Sequence, residues 1–288
     1  LDGNSGAKKW KCRKFLSAHS LAIGADGTVY AGSYVGPDPR VEGDNSCKVY
    51  ALDGRTGITR WEFEVFKSVT SPTIGVHGTV YFATFENVYA LDGKTGAKKW
   101  KFNTGGRPGS GPNMWQWHSC SPAIGADGTV YVRSNGNKVY ALDGKTGARK
   151  WKFIIPDFFK DISAPGFGSP VIGSDGTIYV GSHGKKVYAL NGRTGAKKWE
   201  FETVDPVRSP PAIGSDGTFY FGLDKVYALD GKTGAKKWEF APESGVTSPV
   251  IGCDGTVYVG SRHWKEHNLK AKYSPIVYAL DGKTGAKK

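Results

Sequence analysis

One phrase recurs along the whole chain and constrains its fold more than any other feature. Val-Tyr-Ala-Leu-Asp-Gly, or a close variant, returns at intervals of 39 to 51 residues. The acidic or amide position of the phrase is filled in turn by Asp53, Asp92, Asp143, Asn191, Asp230 and Asp281, after a shortened Leu-Asp-Gly that begins at Leu1. A period of this length is typical of proteins built by stacking one small structural unit, so the fold is expected to consist of six such units.

Each unit contains four short apolar stretches and no helical spacing, which predicts four β-strands, here called A to D. Strand A is followed by Gly-x-Asp-Gly and strand C by Asp-Gly-Lys-Thr-Gly, both of which favour tight turns. The chain has 41 Gly, 13% aromatic residues and a single Met, a composition that also favours an all-β fold.

Four strands in 40 to 50 residues match the blade of a β-propeller, and we predict a six-bladed propeller of four-stranded antiparallel blades in one domain, 1–288. The expected blades are 17–64, 70–102, 118–153, 167–201, 208–240 and 247–288, the last completed by 7–12. The sixth unit stops at Lys288, before its Trp, whereas Ala7–Cys12 carries one at Trp10. We therefore expect the N-terminal strand to close the last blade and the C-terminal Gly-Ala-Lys-Lys to fray.

The motif Ala-Leu-Asp-x-x-Thr-Gly-x-x-x-Trp resembles the signature of the quinoprotein-type, or pyrroloquinoline quinone (PQQ)-like, β-propeller repeat, over essentially the whole chain. In that family the Trp of strand D packs between neighbouring blades. The resemblance implies a structural girdle formed by Trp10, Trp61, Trp100, Trp151, Trp199 and Trp238. It also favours a periplasmic, secreted or luminal location.

The resemblance leaves two functions open. The first is a non-catalytic scaffold that binds a protein partner or a small ligand. The alternative is a PQQ-dependent dehydrogenase; such enzymes are eight-bladed and hold the cofactor with an adjacent Cys pair and a calcium site of Glu, Asn and Asp. Because this chain has six units and four separated Cys, we predict the scaffold, with no catalytic residue, no cofactor and no metal; PQQ with calcium belongs to the alternative.

The A-to-B and C-to-D turns hardly vary between units, whereas the loops on the opposite face do, most of all 33–47, 103–119, 154–168 and 261–274. Divergence of this kind marks a binding face. The candidate ligand-binding residues are His19, Trp115, Trp117, His118 and Arg208, around an axial depression suited to a flat or anionic ligand. The alternative is that Trp115 and Trp117 fill the central channel expected along the axis of the propeller.

The chain carries 39 Lys and Arg against 26 Asp and Glu, a formal charge of +13. Lys pairs recur at the start of strand D, where they protect an exposed sheet edge from pairing with another chain. The same pairs suit nucleic acid or another anionic polymer, which is the lesser alternative.

No apolar run has the roughly 20 residues of a transmembrane helix. We expect a monomer, and a Cys12–Cys47 bridge is left open.

Overall fold

The computed structural model describes residues 5, 7–12, 17–34, 46–66, 69–105, 120–134, 137–156, 169–182, 184–205, 207, 210–242, 245–261 and 276–288. These residues form strands and tight turns without an α-helix, in agreement with the predicted all-β class, and Val76–Gly78 forms a single 3-10 turn. Within the same ranges, no helix is long and apolar enough to cross a membrane.

The chain divides into two compact units, and the first, Leu1–Ile154, contains three antiparallel sheets of four strands each. Sheet 1 consists of β1 (Ser17–Ile23), β2 (Val29–Tyr34), β3 (Ser46–Leu52) and β4 (Thr59–Phe66). Sheet 2 consists of β5 (Thr73–Ile74), β6 (Thr79–Ala83), β7 (Asn87–Asp92) and β8 (Lys98–Asn103). Sheet 3 consists of β9 (Ala123–Ile124), β10 (Val130–Arg133), β11 (Lys138–Leu142) and β12 (Arg149–Ile154).

The second unit, Ile155–Lys288, contains two sheets of four strands and one of three. Sheet 4 consists of β13 (Val171–Ile172), β14 (Thr177–Gly181), β15 (Lys186–Asn191) and β16 (Lys197–Glu202). Sheet 5 consists of β17 (Ala212–Ile213), β18 (Thr218–Gly222), β19 (Val226–Asp230) and β20 (Lys236–Phe240). Sheet 6 consists of β21 (Val250–Ile251), β22 (Val257–Gly260) and β23 (Val277–Leu280).

Neighbours in sequence are neighbours in each sheet, so sheets 1 to 5 are antiparallel meanders of strands A to D and sheet 6 is a meander of strands A to C. Strands B and C read as continuous apolar runs because both of their faces are covered: β10 is buried at all four positions, and β11 at all but Lys138. The outer strand β12 alternates instead, with Trp151 buried and its neighbours exposed. The core therefore lies between sheets and thins out towards strand D.

The C-to-D turns form because Asp at the head of the motif bonds to the turn that follows it. Asp53 Oδ1 accepts hydrogen bonds from the backbone N–H of Arg55 and Thr56, both 3.0 Å, and from the Thr56 hydroxyl. The chain then reverses at Gly57, whose φ of 73° favours glycine. The same Asx geometry recurs in the other turns, which explains why the motif repeats so faithfully.

The prediction that the C-terminal Gly-Ala-Lys-Lys frays is wrong. Lys287 pairs with Leu280, and the Lys288 N–H donates to the Ala279 carbonyl oxygen at 2.9 Å, so these residues begin strand D of sheet 6. The reason is local: the turn at Asp281 delivers them directly to β23, and closing so short a loop costs little entropy. The described residues 7–12 form no strand, and the expected completion of the last blade by the N-terminal segment stays a prediction.

Candidate functional site

Neighbouring sheets are joined by paired donors from strands B and D that meet on one carbonyl oxygen. In the first unit Tyr81 Oη and Trp100 Nε1 both donate to the Gly144 oxygen, at 3.0 and 2.8 Å. A Cβ on Gly147 would lie 2.7 Å from the Trp100 ring, so glycine is needed for this contact as well as for its φ of 74°. Equivalent pairs are Tyr30 with Trp61 on Gly93, Tyr179 with Trp199 on Gly231, and Tyr220 with Trp238 on Gly282.

Trp10 makes the same contact on sheet 1. Its Nε1 donates to the Gly54 oxygen at 2.8 Å, and its ring lies against Gly57. Trp10 and Cys12 pack on the buried residues Val29, Tyr50 and Leu52. The N-terminal segment thus covers an apolar surface of the first unit.

Each sheet has one end that carries the A-to-B and C-to-D turns, here called the turn edge, and an opposite end, the loop edge. At the turn edge the second basic residue of strand D bridges to the A-to-B turn. The Nζ atoms lie within hydrogen-bond distance of the Thr hydroxyl in Lys99–Thr79 at 2.9 Å and in Lys150–Thr129, Lys198–Thr177 and Lys237–Thr218 at 2.6 Å. Arg60 replaces Lys in sheet 1 and reaches Thr28, Asp26 and Asp53. The second basic residue of each pair thus also links strand D to the A-to-B turn, and protection of the sheet edge stays a prediction.

The carboxylates of these turns are likewise engaged. Hydrogen bonds from Thr256 hold the pKa of Asp254 at about 2, and those from Thr233 lower the pKa of Asp230. An open groove of about 490 Å³ between sheets 4 and 5 is lined by such groups, including Asp175 and Asp216. Because both carboxylates already bind a Thr and a Lys of their own sheet, the groove offers a structural polar surface rather than a convergent ligand site.

At the opposite, loop edge, most of the predicted ligand-binding residues lie outside the described part of the chain. These are Trp115, Trp117, His118 and Arg208. His19 lies in β1, but its side chain is outside the description. All five side chains lie outside the described part of the structure, and the predicted site stays a prediction.

The loop edge of sheet 3 contains a residue that the sequence analysis missed. Arg133 ends β10 and pairs with Val139, at the position that holds Gly or Ala in the other sheets. Those counterparts are Gly32, Ala83, Gly181, Gly222 and Gly260. Arg133 is only 4% exposed. The signal in the sequence was the Arg in Val-Tyr-Val-Arg-Ser, at the position where the other repeats have Gly or Ala.

Arg133 contacts Cys120, the first described residue after the loop that contains Trp115, Trp117 and His118. Burial raises the pKa of the Cys120 thiol, and the charge and hydrogen bond of Arg133 oppose this without reversing it. The thiol is therefore neutral at physiological pH and is not an activated nucleophile. Burial lowers the pKa of the Arg133 guanidinium, and the contact with Cys120 opposes this shift.

The described residues do not fit a PQQ or calcium site of the dehydrogenase kind. Among the described residues, Cys12, Cys47, Cys120 and Cys253 form no disulfide, the Cys12–Cys47 bridge included, and no two of them are adjacent in the sequence. In the described ranges no three His, Cys, Asp or Glu side chains are grouped so as to hold a metal ion.

Six antiparallel sheets, joined within each unit by Trp and Tyr donors on glycine carbonyls, define the class: a β-propeller repeat protein. The family model described as outer membrane protein assembly factor BamB matches residues 1–152 and 158–288. The chain therefore belongs to this family of PQQ-like β-propellers.

A solved structure supports the same fold. The crystal structure of BamB from Moraxella catarrhalis superposes with a TM-score of 0.61 at 20% identity, covering 92% of this chain and 82% of that one. A search of curated protein sequences returns no significant match.

Proposed function

We propose that this protein is a non-catalytic scaffold that binds a protein partner through the loop edge of its sheets. The observation that carries the proposal is the contrast between the two edges. At the turn edge the Asp, Thr and Lys side chains bind one another, as Lys150 binds Thr129 and Asp127. At the loop edge the six sheets differ from one another, and sheet 3 has a buried cation, Arg133, where the other sheets have Gly or Ala.

Arg133 contacts Cys120, the residue that directly follows 106–119 in the sequence. We propose that this contact supports the segment that carries Trp115, Trp117 and His118. Aromatic residues and arginine contribute much of the binding energy at protein interfaces. His19 and Arg208 remain part of the proposed loop-edge surface of their own units.

The family suggests the kind of partner. Its model is described as an outer membrane protein assembly factor, so we propose a partner engaged in outer membrane protein assembly and a periplasmic or secreted location. The finer architecture belongs to the same proposal: the six sheets are six blades of one propeller. Trp10 supports it, since it binds Gly54 as the strand-D Trp of a preceding blade binds the next.

Site-specific photo-cross-linking in cells tests the proposal. A photoreactive amino acid at Trp117 should capture an envelope protein, and the same amino acid at Lys145, in the turn edge of sheet 3, should not. Arg133→Ala should abolish capture from position 117 without unfolding the protein, because sheet 2 has Ala83 at the equivalent position. Capture from position 145 alone, or capture that survives Arg133→Ala, would contradict the proposal.

A further inference from the structure

A charge pattern on the outer margin of the sheets distinguishes two of them from the rest. Three positions meet there: the residue two before the Tyr of strand C, and the first and fourth residues of strand D. In sheet 4 these are Lys186, Lys197 and Glu200, and both lysines pair with the carboxylate, at 2.9 and 2.7 Å. In sheet 5 Lys225 and Lys236 pair with Glu239, at 2.7 and 2.8 Å. In sheet 1 Lys48 pairs with Glu62 at 2.9 Å.

Sheets 2 and 3 have no acidic residue at any of these positions. Lys replaces Glu at the fourth position of strand D in both sheets, as Lys101 and Lys152. The other cations are Lys98, Lys138 and Arg149. Within the described residues none of these five makes an ion pair, although Lys101 lies 5.5 Å from the centre of the Tyr89 ring. We call these five residues the basic margin.

The two parts of the basic margin lie on neighbouring sheets, because sheets 2 and 3 pack against each other within the first unit. Phe102 of β8 and Tyr140 of β11 are in edge-to-face contact, with ring centroids 5.2 Å apart. The margin follows the two outer strands β8 and β12, which are terminal in their sheets and, among the described residues, pair on one side only. Their outer backbone N–H and C=O groups face away from the sheet.

Protection of the sheet edge does not account for this excess of charge. Sheets 1, 4 and 5 end in the same strand D, and in each of them a carboxylate pairs with the lysines of the margin, through Glu62, Glu200 or Glu239. Lys138 and Lys152 occupy the diagonal positions that hold an ion pair in those sheets, so two like charges replace an attraction. An unfavourable arrangement of this kind is explained if an anionic group binds there.

We propose that the basic margin of sheets 2 and 3 binds an extended acidic polypeptide segment. The edge strands offer main-chain hydrogen bonds to such a segment, and the five cations match its carboxylates. Ile154, which is 50% exposed and pairs with Lys138, adds an apolar contact.

A nucleic acid fits this surface less well. Single-stranded nucleic acids bind by stacking on exposed aromatic faces, whereas Tyr140 is buried and Phe102 and Tyr89 are half-buried. A membrane surface is disfavoured because Ile154 is the sole large apolar residue exposed beside the five cations in the described part of these strands.

The test measures binding of a fluorescein-labelled poly-L-glutamate peptide to the full chain by fluorescence anisotropy. In Lys101→Glu/Lys152→Glu, each substitution introduces the residue that three other sheets carry at this position, so the fold is retained. We expect the dissociation constant to rise at least about tenfold. The matched control Lys145→Glu/Lys283→Glu changes the net charge equally at the turn edge and should change the constant by less than about twofold.

Three outcomes would overturn the proposal. The first is that poly-L-glutamate does not bind the wild type. The second is that the margin variant and the turn-edge control lose the same affinity. The third is that single-stranded DNA, or vesicles of equimolar phosphatidylglycerol and phosphatidylcholine, bind more tightly than the peptide through Lys101 and Lys152. Equal binding of dextran sulfate, which has no peptide backbone, would remove the role of the strand edge and contradict the polypeptide assignment.

Discussion

At the scale of single residues, a few side chains hold neighbouring sheets together. The Trp and Tyr donors that share the Gly144 oxygen combine a large buried ring area with satisfied polar groups, which explains why aromatic residues with a hydrogen-bonding atom occupy these positions. Trp100 is 7% exposed, and its ring centroid lies 5.7 Å from that of Tyr81.

Trp100→Ala should therefore lower the free energy of unfolding by about 3–5 kcal/mol, because it removes a buried ring and leaves a cavity between sheets 2 and 3. Urea unfolding followed by circular dichroism measures the loss. Trp199→Ala should behave alike in the second unit. Trp115→Ala and Trp117→Ala, in the loop 106–119, should cost much less, and equal losses for both classes would contradict the structural role assigned to Trp100.

The turn carboxylates predict how stability depends on pH. Hydrogen bonds from Thr233 lower the pKa of Asp230 in the folded state. A depressed carboxyl pKa contributes stability above the unfolded value of about 4, and this contribution is lost as the pH falls through the folded value. Asp230→Asn should keep the turn, since Asn191 Oδ1 accepts the N–H of Arg193 and Thr194 in sheet 4.

Urea unfolding at a series of pH values should then show a smaller loss of stability on acidification in Asp230→Asn than in the wild type. The reverse substitution, Asn191→Asp, should enlarge the loss. If both variants follow the wild-type curve, the turn carboxylates do not contribute to acid sensitivity.

At the scale of structural elements, local closure decides which segment pairs with which. The Asp281 turn brings Lys287 to Leu280 at little entropic cost, whereas the N-terminal segment contributes a side-chain contact, Trp10 on Gly54 and Gly57. Short hairpins therefore fill strand positions, and the N terminus covers the apolar surface of sheet 1.

Deleting residues 1–12 should lower the melting temperature and promote association, because Val29, Tyr50 and Leu52 lose their cover. We expect a loss of about 2 kcal/mol, the value for exposing one large apolar side chain. Differential scanning calorimetry and light scattering check both effects, and Trp10→Ala should reproduce most of the loss. A truncated protein that stays monomeric with an unchanged melting temperature would show that the contact contributes nothing.

At the scale of the whole molecule, repetition separates framework from function. Two units of three sheets each use the same Trp and Tyr contacts and the same turn chemistry. Differences between sheets therefore identify surfaces whose residues the fold does not require. The loop edge with Arg133 and the basic margin with Lys101 and Lys152 are two such surfaces.

The scaffold function also predicts the response to cofactor. Addition of PQQ with Ca²⁺ should leave the absorbance spectrum of the cofactor unchanged and produce no dye-reducing activity toward alcohols or aldoses, because the described donor groups are engaged in turns. A stoichiometric spectral shift with reduction of dye would favour the dehydrogenase alternative.

The sequence by itself determined the all-β class, the four-strand unit, the turn chemistry and the family, because these depend on local spacing that repeats six times. The tertiary structure alone decided the rest. That Lys150 bridges two turns, that Arg133 is buried beside Cys120, and that the C-terminal residues pair with β23 depend on contacts between positions distant in the repeat. A repeat predicts which residues are equivalent, but burial and ion pairing are set by which neighbour the fold places against each one.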